Sequence, residues 1–172
     1  MPSTYDSLLR LEIQATGEND NTWGDKANSN FELLGEAIAG FQSISVAGSG
    51  NYTLSTSNAA TDEARKAFLT FTGLLTGNRT IIIPSSSKVY VIRRNTTGSY
   101  TLTVKTASGT GVAITAGATV VVACDGTDCY AIAGATSTSV DLSGYMPLSG
   151  GTFSSTVVFP AGTTSSPSIV FD

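Results

Sequence analysis

Tyr100-Thr101-Leu102-Thr103-Val104-Lys105 alternates apolar and polar side chains without a break. Successive side chains of a strand point to opposite faces, so this run reads as a half-buried β-strand. Similar short runs surround it: Ser43–Val46, Asn51–Leu54, Ala67–Phe71, Thr80–Ile83, Lys88–Arg93, Val112–Thr115, Thr119–Ala123 and Cys129–Ile132. Turn signals lie between them, among them Gly48-Ser49-Gly50-Asn51, Thr76-Gly77-Asn78, Asn95-Thr96-Thr97-Gly98, Ser108-Gly109-Thr110-Gly111, Ala116-Gly117 and Asp125-Gly126. Short strands at regular spacing predict an antiparallel β-sandwich or barrel-like domain over residues 43–135. Pro84 closes its strand because proline cannot donate to a ladder. Thr61–Lys66 reads as a single helical turn.

Residues 1–42 differ. Thr22-Trp23-Gly24-Asp25 opens a helical pattern in which Trp23, Ala27, Phe31, Leu34, Ile38 and Phe41 recur at three- and four-residue steps. That spacing draws one apolar stripe along a helix. Thr22 or Asp25 caps its start and Gly40 ends it. Upstream, Leu8-Leu9-Arg10-Leu11-Glu12-Ile13 is an apolar run that periodicity leaves open between strand and short helix. One helix cannot bury its own stripe. It must pack on the next domain, on copies of itself or on a partner. Residues 136–144 read as a linker, and residues 145–172 as the start of a further β-rich element. Its last strand candidate runs to Asp172 without a closing element, which reads as part of a longer chain.

Charged residues make up 13 % of the chain, against about 25 % in typical soluble domains. Ser, Thr and Gly replace them, which suits strand surfaces covered by neighbouring chains. The net charge of −4, with nine basic residues and no basic cluster beyond Arg93-Arg94, argues against nucleic-acid binding. Arg93-Arg94 reads as a solvated strand end. No run approaches the ~20 apolar residues of a membrane span, and the N-terminus lacks the pattern of a secretory signal. Cys124 and Cys129 flank an Asp-Gly turn and face each other across a hairpin, where a cytosolic origin disfavours a disulfide. Two thiols without histidine do not make a standard zinc site.

The chemistry expected of an enzyme is sparse. Histidine is absent, which removes the usual general base. Asp62-Glu63 and Asp125/Asp128 read as solvated acids near turns, too few for a metal site. No Gly-rich segment matches a phosphate loop. The expectation is a non-enzymatic protein without cofactor or metal.

Two segments carry a resemblance. Leu9-Arg10-Leu11-Glu12, followed by Thr22-Trp23-Gly24, Asn28, Asn30 and Leu34-Gly35-Glu36-Ala37-Ile38-Ala39-Gly40, resembles the N-terminal segments of podovirus and marine-phage tail fibres. Met146-Pro147-Leu148-Ser149-Gly150-Gly151-Thr152-Phe153-Ser154 resembles the repeat that opens the shaft of long tail-fibre proteins, with Ser149 and Phe153 where that family often has Thr and Leu. Leu69–Gly73 through Cys124–Thr127 resembles the β-domains that often sit between the two. The resemblance implies a homotrimeric, virion-bound structural protein assembled in the host cytoplasm. Its N-terminal region would dock on tail adaptor, nozzle or portal-proximal proteins, and its distal part would meet a host surface receptor. Candidate partner and trimer contacts are Leu9, Leu11, Trp23, Ala27, Phe31, Leu34, Ile38, Leu148, Phe153 and Val157. Trp23 is of the type most enriched at binding hot spots. It and Phe31 equally suit packing on the β-domain of their own chain. Two rival readings remain: the stub of a polysaccharide-degrading tailspike, and a carbohydrate-binding β-sandwich using Tyr52, Tyr90 or Tyr100.

Overall fold

A computed structural model describes residues 2–132; the linker and shaft expected after them lie outside the described residues. A two-residue antiparallel pair, β1 (Thr4–Tyr5) with β2 (Glu12–Ile13), precedes helix α1 (Trp23–Ala39). The run around Leu8–Ile13 is therefore a loop ending in a strand. Asp6 shapes it by accepting the N–H groups of Leu8, Leu9 and Leu11 at 3.0, 2.8 and 2.5 Å. Burial opposes the Asp6 charge, but these bonds outweigh it and hold the carboxyl below its usual range. Thr22 sits at the N-cap without a side-chain cap bond, and Gly40 ends the helix by donating to the Glu36 carbonyl at 2.9 Å.

The chain then enters a mainly β domain. Its strands are β3 (Phe41–Ser45), β4 (Gly48–Thr53), β5 (Phe68–Ile82), β6 (Ser87–Thr97), β7 (Leu102–Lys105), β8 (Gly111–Ile114), β9 (Thr119–Asp125) and β10 (Cys129–Ala131). The wall runs in the order β10-β9-β6-β5-β7-β8, with β3 and β4 on the other side of β5. The β8 end returns towards β10, where the Cys129 N–H donates to the Thr110 carbonyl at 3.0 Å. The result is a nearly closed, barrel-like sheet.

The pairing corrects the antiparallel expectation. β3, β4, β6 and β7 all run parallel to β5. Only β6/β9, β7/β8 and β9/β10 of this sheet are antiparallel. The reason lies at Thr76-Gly77-Asn78. These residues look like a hairpin turn but lie inside β5, where the register to β4 shifts. The first half of β5 pairs with β3 and β6, and the second with β4 and β7. A strand bent this way ends near the level where it began. The four residues 83–86 then suffice to start the next parallel strand. Gly98, with φ +96, sits between β6 and β7 with the Leu75 carbonyl close beside it, a place with no room for a side chain.

Inward-facing Ile44, Val46, Leu69, Phe71, Leu75, Ile81, Tyr90, Ile92, Leu102, Val104, Ile114 and Val122 form the core. Residues 61–66 form a turn, not a helix, and this turn supplies a buried charge cluster. Asp62, expected in solvent, is buried between Arg10 at 2.7 Å and Arg65 at 3.4 Å. Arg65 also donates to the carbonyls of Leu9, Ser57 and Ala60. Lys88 donates to the carbonyls of Ala64, Arg65 and Lys66 and lies 4.7 Å from the Tyr90 ring centroid. Three cations and one carboxylate thus pin the N-terminal loop to the barrel. Arg94 is likewise inside the fold: it donates to Thr96 Oγ1, the Ile114 carbonyl and the Tyr100 carbonyl at 2.9, 2.8 and 2.6 Å. Only Arg93 of that pair is exposed.

Candidate interaction surface

Helix α1 is held to the rest of the chain mainly by polar bonds. The Asn30 side-chain amide pairs with the backbone of Glu12, accepting its N–H at 3.1 Å and donating to its carbonyl at 2.9 Å. Lys26 reaches Glu12 at 3.1 Å. Lys66 reaches Glu36 at 2.7 Å, and the Thr61 hydroxyl donates to Glu36 at 2.9 Å. The Lys26 bond above all holds the Glu12 carboxyl below its usual range. Burial opposes the Glu36 charge, yet its bonds to Lys66 and Thr61 win and lower its pKa. The buried apolar residue of the helix is Leu33, 5 % exposed.

The predicted stripe points elsewhere. Trp23, Phe31 and Ile38 are 65 %, 69 % and 77 % exposed. Ala27 and Leu34, at the margin between the two faces, are partly covered, as are Leu9 and Leu11 in the preceding loop. At 3.6 residues per turn, the face through Lys26, Asn30, Leu33 and Ala37 lies roughly a quarter turn from the stripe. The reading in which Trp23 and Phe31 pack on their own β-domain is therefore corrected. Asn30 and Glu36 already tie up the packed face, and their bonds fix the helix in this rotation. Leu148, Phe153 and Val157 lie outside the described residues. Leu33 is the contact that periodicity passed over, because it falls off the stripe.

Most of the remaining candidates are tied into the fold. Tyr90 is buried and donates its hydroxyl to the Ala64 carbonyl at 2.9 Å; burial pushes its pKa up. Tyr52 donates to Glu63 at 2.8 Å, and burial and that carboxylate push it up to about 12. Of the three tyrosines, Tyr100 alone is exposed, on an open depression of about 350 Å³ shared with Arg94 and Thr115. Asp125 accepts the N–H groups of Thr127 and Asp128, and Asp128 accepts the N–H and hydroxyl of Thr110. Both are turn staples. Among the described residues no group of three or more potential metal-ligating acids or thiols comes together. Cys124 and Cys129 are direct cross-strand partners, free and buried, and burial with the neighbouring thiol pushes Cys129 up to about 12. No described helix is long and apolar enough to cross a membrane. Comparison with protein-family models, curated proteins and solved structures finds no match.

Proposed function

We propose that this chain is the virion-attachment region of a homotrimeric bacteriophage tail fibre, a structural protein that works without catalytic chemistry. One observation carries the reading: the helix satisfies its own chain through polar bonds and Leu33, and leaves Trp23, Phe31 and Ile38 in water. Burying a large apolar side chain contributes ~1.5–3 kcal/mol, so three such anchors on each of three chains suffice to hold together the trimer that docks on the tail. The resemblance of residues 9–40 and 146–154 to tail-fibre segments supplies the biological setting. Docking would be on tail adaptor, nozzle or portal-proximal proteins. Contact with a host receptor would belong to a distal part of the fibre.

Light scattering on residues 1–172, joined to a pull-down of tail-tube and portal-proximal proteins, tests the proposal. The expected mass is three chains, and the double variant Trp23→Ala/Phe31→Ala is expected to lose both trimer and capture. A strictly monomeric product that captures nothing overturns it.

A further inference from the structure

The register of the barrel places a second, partly exposed apolar surface on this chain. Phe41, Phe68, Val91 and Val121 are successive cross-strand partners on β3, β5, β6 and β9. The N–H of Ile132 donates to the Val121 carbonyl at 2.9 Å and continues the row. Beside it Val89, Ala123 and Tyr130 make a parallel row. All eight point away from the core, because their strand neighbours Leu69, Tyr90, Ile92 and Val122 point into it. On one side the rows are bounded by Ser43, Thr70, Arg93 and Thr119, and on the other by Ser87 and Asp125. The outward face of the other wall is the internal control. There the matching row is Asn51, Thr80, Thr103 and Ala113, largely polar. One outer face is dressed for water, and the other is not.

We infer that in the homotrimer the α1 stripe of each copy seats on this apolar belt of the next copy. The inference rests on the trimeric reading and names its contact surfaces. Four observations support a second copy as the occupant. First, the two surfaces match in length. Trp23 to Ile38 spans about 22 Å of helix, and five strands span about 19 Å across the belt. Second, both surfaces lack charge, as interface cores do. Third, neither covers the other within one chain. Trp23, Phe31, Ile38, Phe41, Val89, Tyr130 and Ile132 remain 45–77 % exposed. Together they leave roughly 800 Å² of apolar area in water, which one head-to-tail contact takes up in total, about the apolar share of a standard interface of ~1,200–2,000 Å². A head-to-tail ring covers both surfaces on every copy at once. Fourth, Gly24 and Gly35 sit at the edge of the stripe with nothing of their own chain within 4 Å of an added Cβ. A helical glycine costs about 1 kcal/mol relative to alanine, so an approaching sheet gives these positions a reason.

Phe31 lies near the middle of the stripe, and Val91 lies on β6, the middle strand of the belt. They meet whichever way the helix runs. The test uses the full 172-residue chain carrying Phe31→Cys and Val91→Cys, treated with a short bis-maleimide. The expected product is a closed covalent trimer, with neither single variant linking. Val91→Asp should dissociate the trimer, while Thr103→Asp on the polar face should leave it intact. Gly35→Ala should raise the melting temperature of the isolated chain yet weaken assembly. A trimer by light scattering in which the double variant does not link overturns this inference and leaves the trimeric reading standing. Linking by Phe31→Cys alone puts the helices against one another and also overturns it. A monomer overturns this inference, and a monomer that captures nothing overturns both.

Discussion

Asp62 is the residue on which the N-terminal loop depends. Its carboxylate answers Arg10 and Arg65 and also accepts the N–H groups of Ser57 and Arg65 at 2.8 and 2.7 Å. Removing one member of a buried charged set leaves the others unpaired, which costs about 3–5 kcal/mol. Asp62→Ala is expected to lower unfolding stability by that order in a urea titration, with Glu63→Ala costing less. Lys88 gives a pH signature. Burial lowers its pKa from 10.5 to about 8 in the folded chain. The unfolded chain therefore binds more protons than the folded one above about pH 8, and stability rises with pH there. From about pH 9 upward Cys129 opposes this, because a raised thiol pKa withdraws stability as the unfolded thiol ionises. The melting temperature is expected to climb between about pH 7.5 and 9, and Lys88→Met to flatten the climb. An unchanged slope in the variant assigns the effect elsewhere.

At the scale of the element, the helix has two faces with opposite expected responses. Leu33 is buried against its own chain, and Leu→Ala in such places costs about 2–5 kcal/mol. Leu33→Ala is expected to fall near the lower end, since polar bonds share the work of holding the helix. Phe31→Ala removes a side chain in water and is expected to change the stability of the isolated chain by less than about 0.5 kcal/mol. Thermal denaturation of the two variants at a concentration where the chain is single decides it. A larger loss for Phe31→Ala would mean that the stripe, not Leu33, holds the helix. The β elements show a related ambiguity. Val89-Tyr90-Val91-Ile92 and Val120-Val121-Val122-Ala123 are apolar on both faces. Continuous apolar runs mark strands covered on both sides. The sequence carried that signal, but only the register shows that Val91, Val121 and Phe68 line up.

At the scale of the whole molecule, carboxylates join the helix to the N-terminal strand pair and to the barrel domain. Glu12 holds Lys26, and Glu36 holds Lys66 and Thr61. Both carboxyls have folded pKa values below their ordinary one, so their contribution is full above about pH 4.5. It is lost as pH falls through the lowered values. Acid titration is expected to release the helix as pH falls below the ordinary glutamate value of 4.5, before the barrel unfolds. The helical circular-dichroism signal should fall first, and the near-ultraviolet signal of the buried tyrosine later. A single concerted loss would show that the helix belongs to the barrel's cooperative unit.

The sequence by itself determined some of the local elements. Period-two alternation at Tyr100–Lys105 placed a strand, and the Trp23–Ile38 spacing placed a helix ending at Gly40. Both follow from the geometry of a few consecutive residues. Only the tertiary structure decided that Thr76-Gly77-Asn78 bends one long strand and does not divide two, which makes the central pairing parallel. Only it decided that Asn30, Leu33 and Glu36 turn the stripe outward. Strand pairing and helix rotation depend on groups far apart in the chain, such as Glu12 with Asn30 or Lys66 with Glu36, and periodicity holds no record of them.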